Sequence, residues 1–198
     1  MKKLVPQDLL DIAAYEKVRE QRLDSVIRLK KHRRVAVGPL VTLVFENRET
    51  IRSQIQEMMR AERLVKDDAI QAELDVYNAL LPAERELAAT LYIEVDDPGH
   101  VRQVLDRFIG LDEPGYVVMR FSGGAEAPAV FESGRSREDR ISAVQFVKFT
   151  LNDTAARALG SGNGEVTIEI THPAYQAVGE ITPETRRSLA DDLDPERG

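Results

Sequence analysis

The chain has 198 residues, of which 42% are hydrophobic and 31% are charged, and its formal net charge is −7. This length suits one domain with a sizeable core, and no stretch has the roughly 18 consecutive apolar residues of a membrane-spanning helix. The lack of cysteine excludes disulfides and cysteine-ligated metal sites within the chain, and the acidic balance opposes non-specific nucleic-acid binding.

The first predicted element is helical and spans residues 7–33, in two pieces broken near Ala14 and Tyr15. Its longer piece has one apolar face, made of Tyr15, Val18, Val26 and Ile27. Residues 28–34 form a basic run, where positive charge complements the helix dipole. The run could also contact phosphates, but it lacks the interleaved aromatic side chains of single-strand binding sites. We therefore favour a helix end over a nucleic-acid site.

After this helix, the spacing of the apolar residues changes from the 3.6-residue period of a helix to the 2-residue period of a strand, which indicates a β-hairpin. Residues 35–37 and 40–46 form its strands, and Gly38-Pro39 forms a two-residue turn. Glycine in the first central position and proline in the second fit a type II′ turn.

Two helices are predicted next, as an antiparallel helical hairpin. Asn47 is a suitable N-cap for a helix over residues 48–64, with Glu49 in the favourable first turn. The second helix covers residues 68–81 and ends before Pro82. Its apolar face consists of Ile70, Leu74, Tyr77 and Leu81.

The remainder is predicted to be mostly strand. The expected strands cover residues 87–95, 115–121, 127–132, 141–150 and, as the last one, 166–170. The expected helices cover residues 98–110, a short segment after Asn152 and Asp153, and a terminal segment that begins at Thr182-Pro183. The acidic residues 191–198 are expected to fray.

Strands with alternating polarity predict an antiparallel sheet with one face on the core. The opposite, polar face would carry Thr42, Tyr92, Glu94, Arg120, Lys148 and Glu169. The predicted fold class is α+β, a mostly antiparallel sheet covered on one face by helices, with an N-terminal helical segment and a helical hairpin. We expect one domain over residues 1–198, made of N-terminal helices (1–33), a hairpin, helical hairpin and strand (34–95), a sheet portion (96–179) and a terminal helix with its tail (180–198).

The common catalytic motifs are absent from the sequence. His32, His100 and His172 are each alone in their segments, so no metal site and no cofactor is predicted, although the three could still meet in space. The glycine-rich residues 160–164 follow a helix and precede a strand, the reverse of the order in a dinucleotide-binding fingerprint. We interpret them as a helix C-cap and a turn. The polar sheet face has too few charged residues of one sign for a triphosphate-binding tunnel.

The densest group of unusual polar residues lies on the helix that follows Asn47. Ile51, Ile55, Met58 and Met59 form an apolar stripe that also contains Glu62, and Arg52, Gln56, Arg60 and Arg63 form a neighbouring stripe. A carboxylate in an apolar row must pair with a cation or reach water at the helix end. One interpretation is a buried network of Glu and Arg that pins the helical hairpin to the sheet. The other is a small pocket whose arginines hold a carboxylate or phosphate.

The same segment carries a family resemblance. The residues are LVFENRET at 43–50, QIQEM at 54–58, RAER at 60–63 and IQAELDVYN at 70–78. They resemble the bacterial family known as domain of unknown function 3501, most strongly over residues 33–95. The resemblance implies a prokaryotic protein whose relatives are often encoded near rubrerythrin-like and iron–sulfur oxidoreductase proteins. It names no reaction and supplies no catalytic residues.

Two functional hypotheses follow. The first is a cytoplasmic, non-catalytic accessory or interaction protein in a redox or oxidative-stress setting, whose partner is an iron–sulfur or di-iron protein. The second is a small-molecule-binding protein or enzyme that acts on an anionic ligand at the arginine-rich helix, residues 48–64. In the second hypothesis the ligand is bound by Arg48, Arg52, Gln56 and Arg60, with Glu46 or Glu57 as acid or base and Tyr77 or Asn78 orienting it.

Overall fold

The computed structural model describes residues 1–134, 136–137 and 140–193. The α-helices in this part of the chain are α1 (Ile12–Lys31), α2 (Arg48–Glu62), α3 (Asp67–Asn78), α4 (Val101–Asp106), α5 (Asp153–Ser161) and α6 (Pro183–Asp192). The strands are β1 (Arg34–Val37), β2 (Val41–Glu46), β3 (Glu86–Ile93), β4 (Val117–Phe121), β5 (Glu126–Phe131), β6 (Ser136–Arg137), β7 (Arg140–Ile141), β8 (Val144–Thr150), β9 (Val166–His172) and β10 (Tyr175–Glu180). Short 3₁₀ turns cover Pro6–Asp8 and Pro98–His100. The α+β class is confirmed.

Eight of the strands form one antiparallel sheet that is nearly closed into a barrel. Its order is β1-β2-β3-β8-β5-β4-β9-β10, and every neighbouring pair is antiparallel. The two end strands approach each other, because the Tyr175 hydroxyl of β10 donates a 2.5 Å hydrogen bond to the Val37 carbonyl of β1. Gly179 makes this approach possible, since a Cβ there would collide with the Ala36 carbonyl oxygen.

The apolar residues form two clusters, one on each side of the sheet. The first contains the inward residues of the strands, such as Leu43 and Leu91, and it also includes Leu159 of α5 and Leu189 of α6. The second cluster joins α2 and α3 to the residues that precede α1 (1–11, the N-terminal segment), with Phe146 of β8 packed against it. Helical residues thus belong to both clusters, and the predicted cover on one face alone is not confirmed.

Several predicted boundaries at the N-terminal end of the chain are wrong. The first helix does not break near Ala14 and Tyr15, because Asp11 caps α1 by accepting a hydrogen bond from the Ala14 N–H, and α1 then runs unbroken. Ile27, predicted on the apolar face, is 65% exposed. The hairpin turn has three residues rather than two, since Val37 pairs with Val41. Gly38 has the positive φ, +68°, that the turn prediction required.

Other corrections concern the second half of the chain. Strand β9 is not the last strand, because β10 follows it and pairs with it. The helix predicted over residues 98–110 is reduced to a 3₁₀ turn and the short α4. Thr42, predicted on a solvated face, is buried. Asp191 and Asp192 belong to α6, whereas residues 194–198 of the predicted frayed end lie outside the described residues.

The predicted helix caps are confirmed. Asn47 caps α2 by accepting hydrogen bonds from the N–H groups of Glu49 and Thr50, and Asn152 and Thr182 cap α5 and α6 in the same way. Gly162 ends α5 with a φ of +71°, as the C-cap interpretation requires. The Arg186 guanidinium donates to carbonyls on both sides of this glycine, which holds the segment in place.

Candidate functional site

The polar stripe of α2 faces α1 and the N-terminal segment. Beside this stripe, Glu57 accepts hydrogen bonds from the Tyr15 hydroxyl and from both Nε and Nη2 of Arg19, each at 2.8 Å. The Arg19 hydrogen bonds hold the pKa of the Glu57 carboxyl below its usual range. Burial, followed by the hydrogen bond to Glu57, raises the pKa of Tyr15 to about 12. The cluster therefore keeps an ionised carboxylate and a neutral phenol, and both Tyr15 and Arg19 are engaged by Glu57.

Two predicted ligand-binding amides instead bind the backbone of the N-terminal segment. Gln56 is buried, and its amide accepts from the Leu10 N–H at 2.7 Å and donates to the Leu10 carbonyl at 3.0 Å. Asn78, at the end of α3, accepts from the Leu4 N–H at 2.8 Å and donates to the Leu4 carbonyl at 2.9 Å. Each amide satisfies both polar groups of one backbone residue, so each serves to fasten the segment to the helical hairpin.

The arginines of α2 are paired with carboxylates. Arg48 Nη2 lies 2.6 Å from Asp8, and the Val5 N–H and then Arg48 hold the pKa of Asp8 below its usual value. Arg52 pairs with Glu49 one turn earlier on the same helix, and Arg60 lies 3.4 Å from Glu16 and 3.7 Å from Glu57. Ion pairs between arginine and carboxylate side chains are therefore present, but they are partly exposed rather than buried. They join α2 to α1 and the N-terminal segment rather than to the sheet.

The remaining predicted site residues lie apart from this network. Tyr77 is half-buried on α3, where burial raises its pKa. Glu46 ends β2 and accepts a 2.8 Å hydrogen bond from Thr90. Glu62, predicted to pair with an arginine or to reach water, is exposed at the end of α2. The structure thus does not gather the eight candidates around one ligand.

The histidines have different surroundings. His100 Nδ1 lies 2.7 Å from Asp97, whereas His172 Nε2 lies 3.1 Å from the Ile109 carbonyl and its ring packs edge-on against Tyr116. Over the described ranges, no three His, Cys, Asp or Glu side chains are grouped so that they could hold a metal ion. None of the described helices is long and apolar enough to cross a membrane.

A small cavity of about 130 Å³ lies between α1 and α2. Arg22 and Ser25 of α1 face Arg52 and Ser53 of α2 across it, and Asp8 and Glu49 also contribute to its lining. Arg22 makes no ion pair within the described part of the chain, so it is a cation available to a small anion. Arg22 cannot be identified as a candidate from the sequence, since a lone arginine on an exposed helix face carries no distinguishing signal.

A larger groove of about 700 Å³ lies where the N-terminal segment meets α2 and α3. We call it the acidic groove. Its apolar lining residues are Pro6, Leu9, Leu10, Met59, Val65 and Ile70, its charged lining residues are Asp11, Asp67 and Asp68, and Gln7 and Gln71 complete it. Val65 is 74% exposed, and Asp67 and Asp68 form no ion pair within the described residues. No sequence pattern indicates this groove, because its walls come from three separated segments.

These features define a class of protein: an α+β fold on a nearly closed antiparallel sheet, whose N-terminal segment is fastened to a helical hairpin and shapes a groove with it. The family model described as "Protein of unknown function (DUF3501)" matches residues 3–193, and the chain belongs to this family. The membership confirms the resemblance found in the sequence.

A solved structure supports the fold. The chain is similar to a crystal structure described as a novel protein of unknown function from Burkholderia pseudomallei, with 37% sequence identity and a TM-score of 0.89. The match covers 98% of this chain and 100% of the other. No curated protein matches the chain.

Proposed function

We propose that this protein is a non-catalytic accessory protein that docks onto a partner protein through the acidic groove. The observation that carries the proposal is the composition of that groove, in which exposed apolar side chains lie beside carboxylates without ion pairs. The polar groups of α2 give further support. Glu57, Gln56 and Asn78 are each engaged with the N-terminal segment or α1, which leaves them unavailable as an acid, a base or a ligand.

The lining of the groove selects the chemistry of its occupant. Asp11, Asp67 and Asp68 are its only charged lining residues in the described part of the chain, so they favour lysine or arginine on the partner. Leu9, Leu10, Val65 and Ile70 favour an apolar face beside that charge. The occupant is therefore an amphipathic segment of a partner protein, apolar on one side and basic on the other.

The size of the groove suits a transient complex. A cavity of about 700 Å³ accepts a short segment, and interfaces that bury less than about 1,200 Å² are typical of weak redox and signalling encounters. We place this encounter in a redox or oxidative-stress setting of the bacterial cytoplasm, with an iron–sulfur or di-iron protein as the partner. That setting rests on the rubrerythrin-like and iron–sulfur proteins often encoded near relatives of this family.

The test is a nuclear magnetic resonance titration of the ¹⁵N-labelled chain with two purified proteins of the kinds encoded near relatives of this family, one rubrerythrin-like and one iron–sulfur oxidoreductase. We expect amide shifts over residues 7–11 and 59–71 with at least one of them. Because the groove is acidic, the affinity should fall as salt is raised. Absence of shifts with both proteins, or shifts confined to other surfaces, would contradict the proposal.

A matched pair of variants locates the contact. Val65→Glu adds a carboxylate inside the groove, and Val76→Glu makes the same change on α3 outside the groove lining, where the side chain is 63% exposed. Both residues are exposed, so both variants should fold. We expect Val65→Glu to weaken binding at least about tenfold, the loss of one central interface contact, and Val76→Glu to leave it unchanged. Equal effects of the two substitutions would place the contact elsewhere.

A second candidate function is the binding of a small anion in the cavity between α1 and α2. It is favoured by Arg22, which has no ion pair within the described residues and faces Arg52 across about 130 Å³. Two arginines and two serine hydroxyls suit a phosphate or a small carboxylate. Asp8 and Glu49 in the same lining oppose it, because an anion must compete with Glu49 for Arg52. This balance makes anion binding the weaker candidate.

Calorimetric titration with inorganic phosphate and with acetate tests this second candidate. If the site exists, Arg22→Gln should abolish a phosphate or acetate signal that Lys17→Gln, an exposed change on the same helix, leaves intact. No heat with either anion, or identical heats in the two variants, would remove it.

A further inference from the structure

The last turns of α1 carry an exposed basic surface. Ile27 is 65% exposed, and Arg28, Lys31 and His32 beside it are exposed too. Ile27, Arg28 and Lys31 lie within a sector of about 100° around the helix axis, so they face the same side. Residues 25–45 contain no acidic side chain. We call Ile27, Arg28, Lys31 and His32 the basic end of α1.

The cations of the basic end are available to a partner. Within the described residues Arg28 and Lys31 form no ion pair, and the Arg28 guanidinium reaches only the Ser25 hydroxyl, at 3.5 Å. Lys30, by contrast, lies 3.6 Å from Glu46 of β2. The positive charge at this end of the helix is therefore not neutralised by the chain itself.

The basic end has the composition that the acidic groove requires. In the groove, Val65 is 74% exposed, and Asp67 and Asp68 form no ion pair within the described part of the chain. The isoleucine of the basic end can cover the valine, and its two cations complement the two carboxylates. Glu20 and Asp24 are exposed nearer the start of α1, so the complementary surface is confined to the basic end.

The two surfaces lie at opposite ends of α1. Asp11 caps the start of the helix and lines the groove, whereas Ile27 lies near the other end. With a rise of 1.5 Å per residue they are about 24 Å apart along one continuous helix. The basic end of a chain therefore cannot enter its own groove, and the contact must join two copies. Because it joins two different surfaces, it leaves a groove and a basic end open at which further copies can add.

We propose that the basic end of α1 in one copy occupies the acidic groove of another, so that self-association regulates access to the groove. This inference rests on the proposed function, in which the groove is the docking surface for a partner protein. Self-associated copies have occupied grooves, so a partner must displace the α1 of the neighbouring copy. The contact is small, so it is weak and gives way to a tighter partner.

Sedimentation velocity of the purified intact chain, without any partner protein, tests the proposal. We expect the mass to rise with protein concentration beyond that of a dimer, and to fall as salt is raised. Ile27→Glu and Val65→Glu should each weaken the association at least about tenfold, because each places a carboxylate in the contact. Val178→Glu, the same change at a 61% exposed position of β10, should leave it unchanged.

An equimolar mixture of Ile27→Glu and Val65→Glu gives the most specific result. The first variant keeps an intact groove and the second an intact basic end, so together they should form a complex that stops at one copy of each. A symmetric contact between identical surfaces would not be restored in this way. The proposal is overturned if the wild type stays monomeric, if Val178→Glu weakens association as much as the other two variants, or if the mixture associates no more than the separate variants.

These experiments are separate from the titration with redox proteins. Self-association in the absence of any groove shifts with those proteins would remove the proposed partners and leave the contact between copies standing. If the redox proteins do shift the groove amides but the mixture of variants stays monomeric, the self-association alone is wrong.

Discussion

Single side chains of α2 hold the N-terminal part of the chain in place. Glu57 accepts three hydrogen bonds, two of them from one guanidinium in a bidentate arrangement, and all come from α1. Side chains of Glu57 and Arg19 are about one-third exposed, so solvent weakens the attraction without removing it. The carboxylate therefore acts as a fastening point between two helices.

Replacing Glu57 with Gln should lower the free energy of unfolding by about 1–2 kcal/mol, because the charge-assisted hydrogen bonds from Arg19 become weaker neutral ones. Urea denaturation measures this difference. The control is Glu62→Gln, the same change at an exposed position of the same helix, which should cost less than about 0.5 kcal/mol. Equal losses in the two variants would contradict the fastening role.

The same interaction has a defined pH dependence. The pKa of Glu57 is lowered in the folded protein, first by the Arg19 hydrogen bonds, relative to about 4.3 in the unfolded chain. Its stabilising contribution is therefore complete above that value and is lost as the pH falls through the folded pKa. We expect the stability difference between wild type and Glu57→Gln to shrink as urea denaturation is repeated from pH 7 towards pH 3. A difference that stays constant over this range would argue against it.

The sequence identified these residues as unusual but not their partners. Helical periodicity predicts a polar stripe on α2. Its members Gln56 and Arg60, and Glu57 beside it, contact α1 or the N-terminal segment. Their partners on α1 and the N-terminal segment are about 38–46 residues earlier in the chain, and periodicity carries no information on such distant pairs. Asn78 was assigned to a ligand for the same reason, although it binds the backbone of Leu4.

At the level of elements, local signals predicted helix starts well and the last strand poorly. Asn47, Asn152 and Thr182 act within three residues of their own position, so their capping role is visible in the sequence. Strand β10 has a glycine and few β-branched residues, so its composition does not predict a strand. It forms a strand because it pairs with β9.

The seam between β1 and β10 is sensitive to a single methyl group. Gly179→Ala places a Cβ against the Ala36 carbonyl and Val37 side chain, so the strands must separate. We expect a loss of about 1–3 kcal/mol in the free energy of unfolding, typical of overpacking. Val178→Ala, at a 61% exposed position of the same strand, should cost much less. A thermal or urea unfolding series decides this, and equal stabilities of the two variants would mean that the seam is not closely packed.

Across the whole molecule, the N-terminal segment completes a surface that no single element provides. Leu9 and Leu10 form one wall of the acidic groove, Met59 and Val65 another, and Ile70 the third. Closure of the sheet depends on how the strands are paired, and the groove depends on how separated segments pack together. The alternation of polar and apolar residues along one strand specifies neither. The α+β class could therefore be predicted from the sequence, but the near-barrel and the groove could not.

The central claim is that the polar side chains of α2 hold the N-terminal segment against the helical hairpin and thereby shape the groove. Gln56 tests it most directly, because its amide makes both hydrogen bonds to Leu10, a groove residue. The measurement is amide hydrogen exchange in Gln56→Ala, with Gln54→Ala on the same helix as control. We predict that residues 8–16 exchange at least about tenfold faster in Gln56→Ala, since a loss of about 1–3 kcal/mol is concentrated there, while β3 keeps its protection. Unchanged exchange over residues 8–16, or the same acceleration in Gln54→Ala, would contradict the claim.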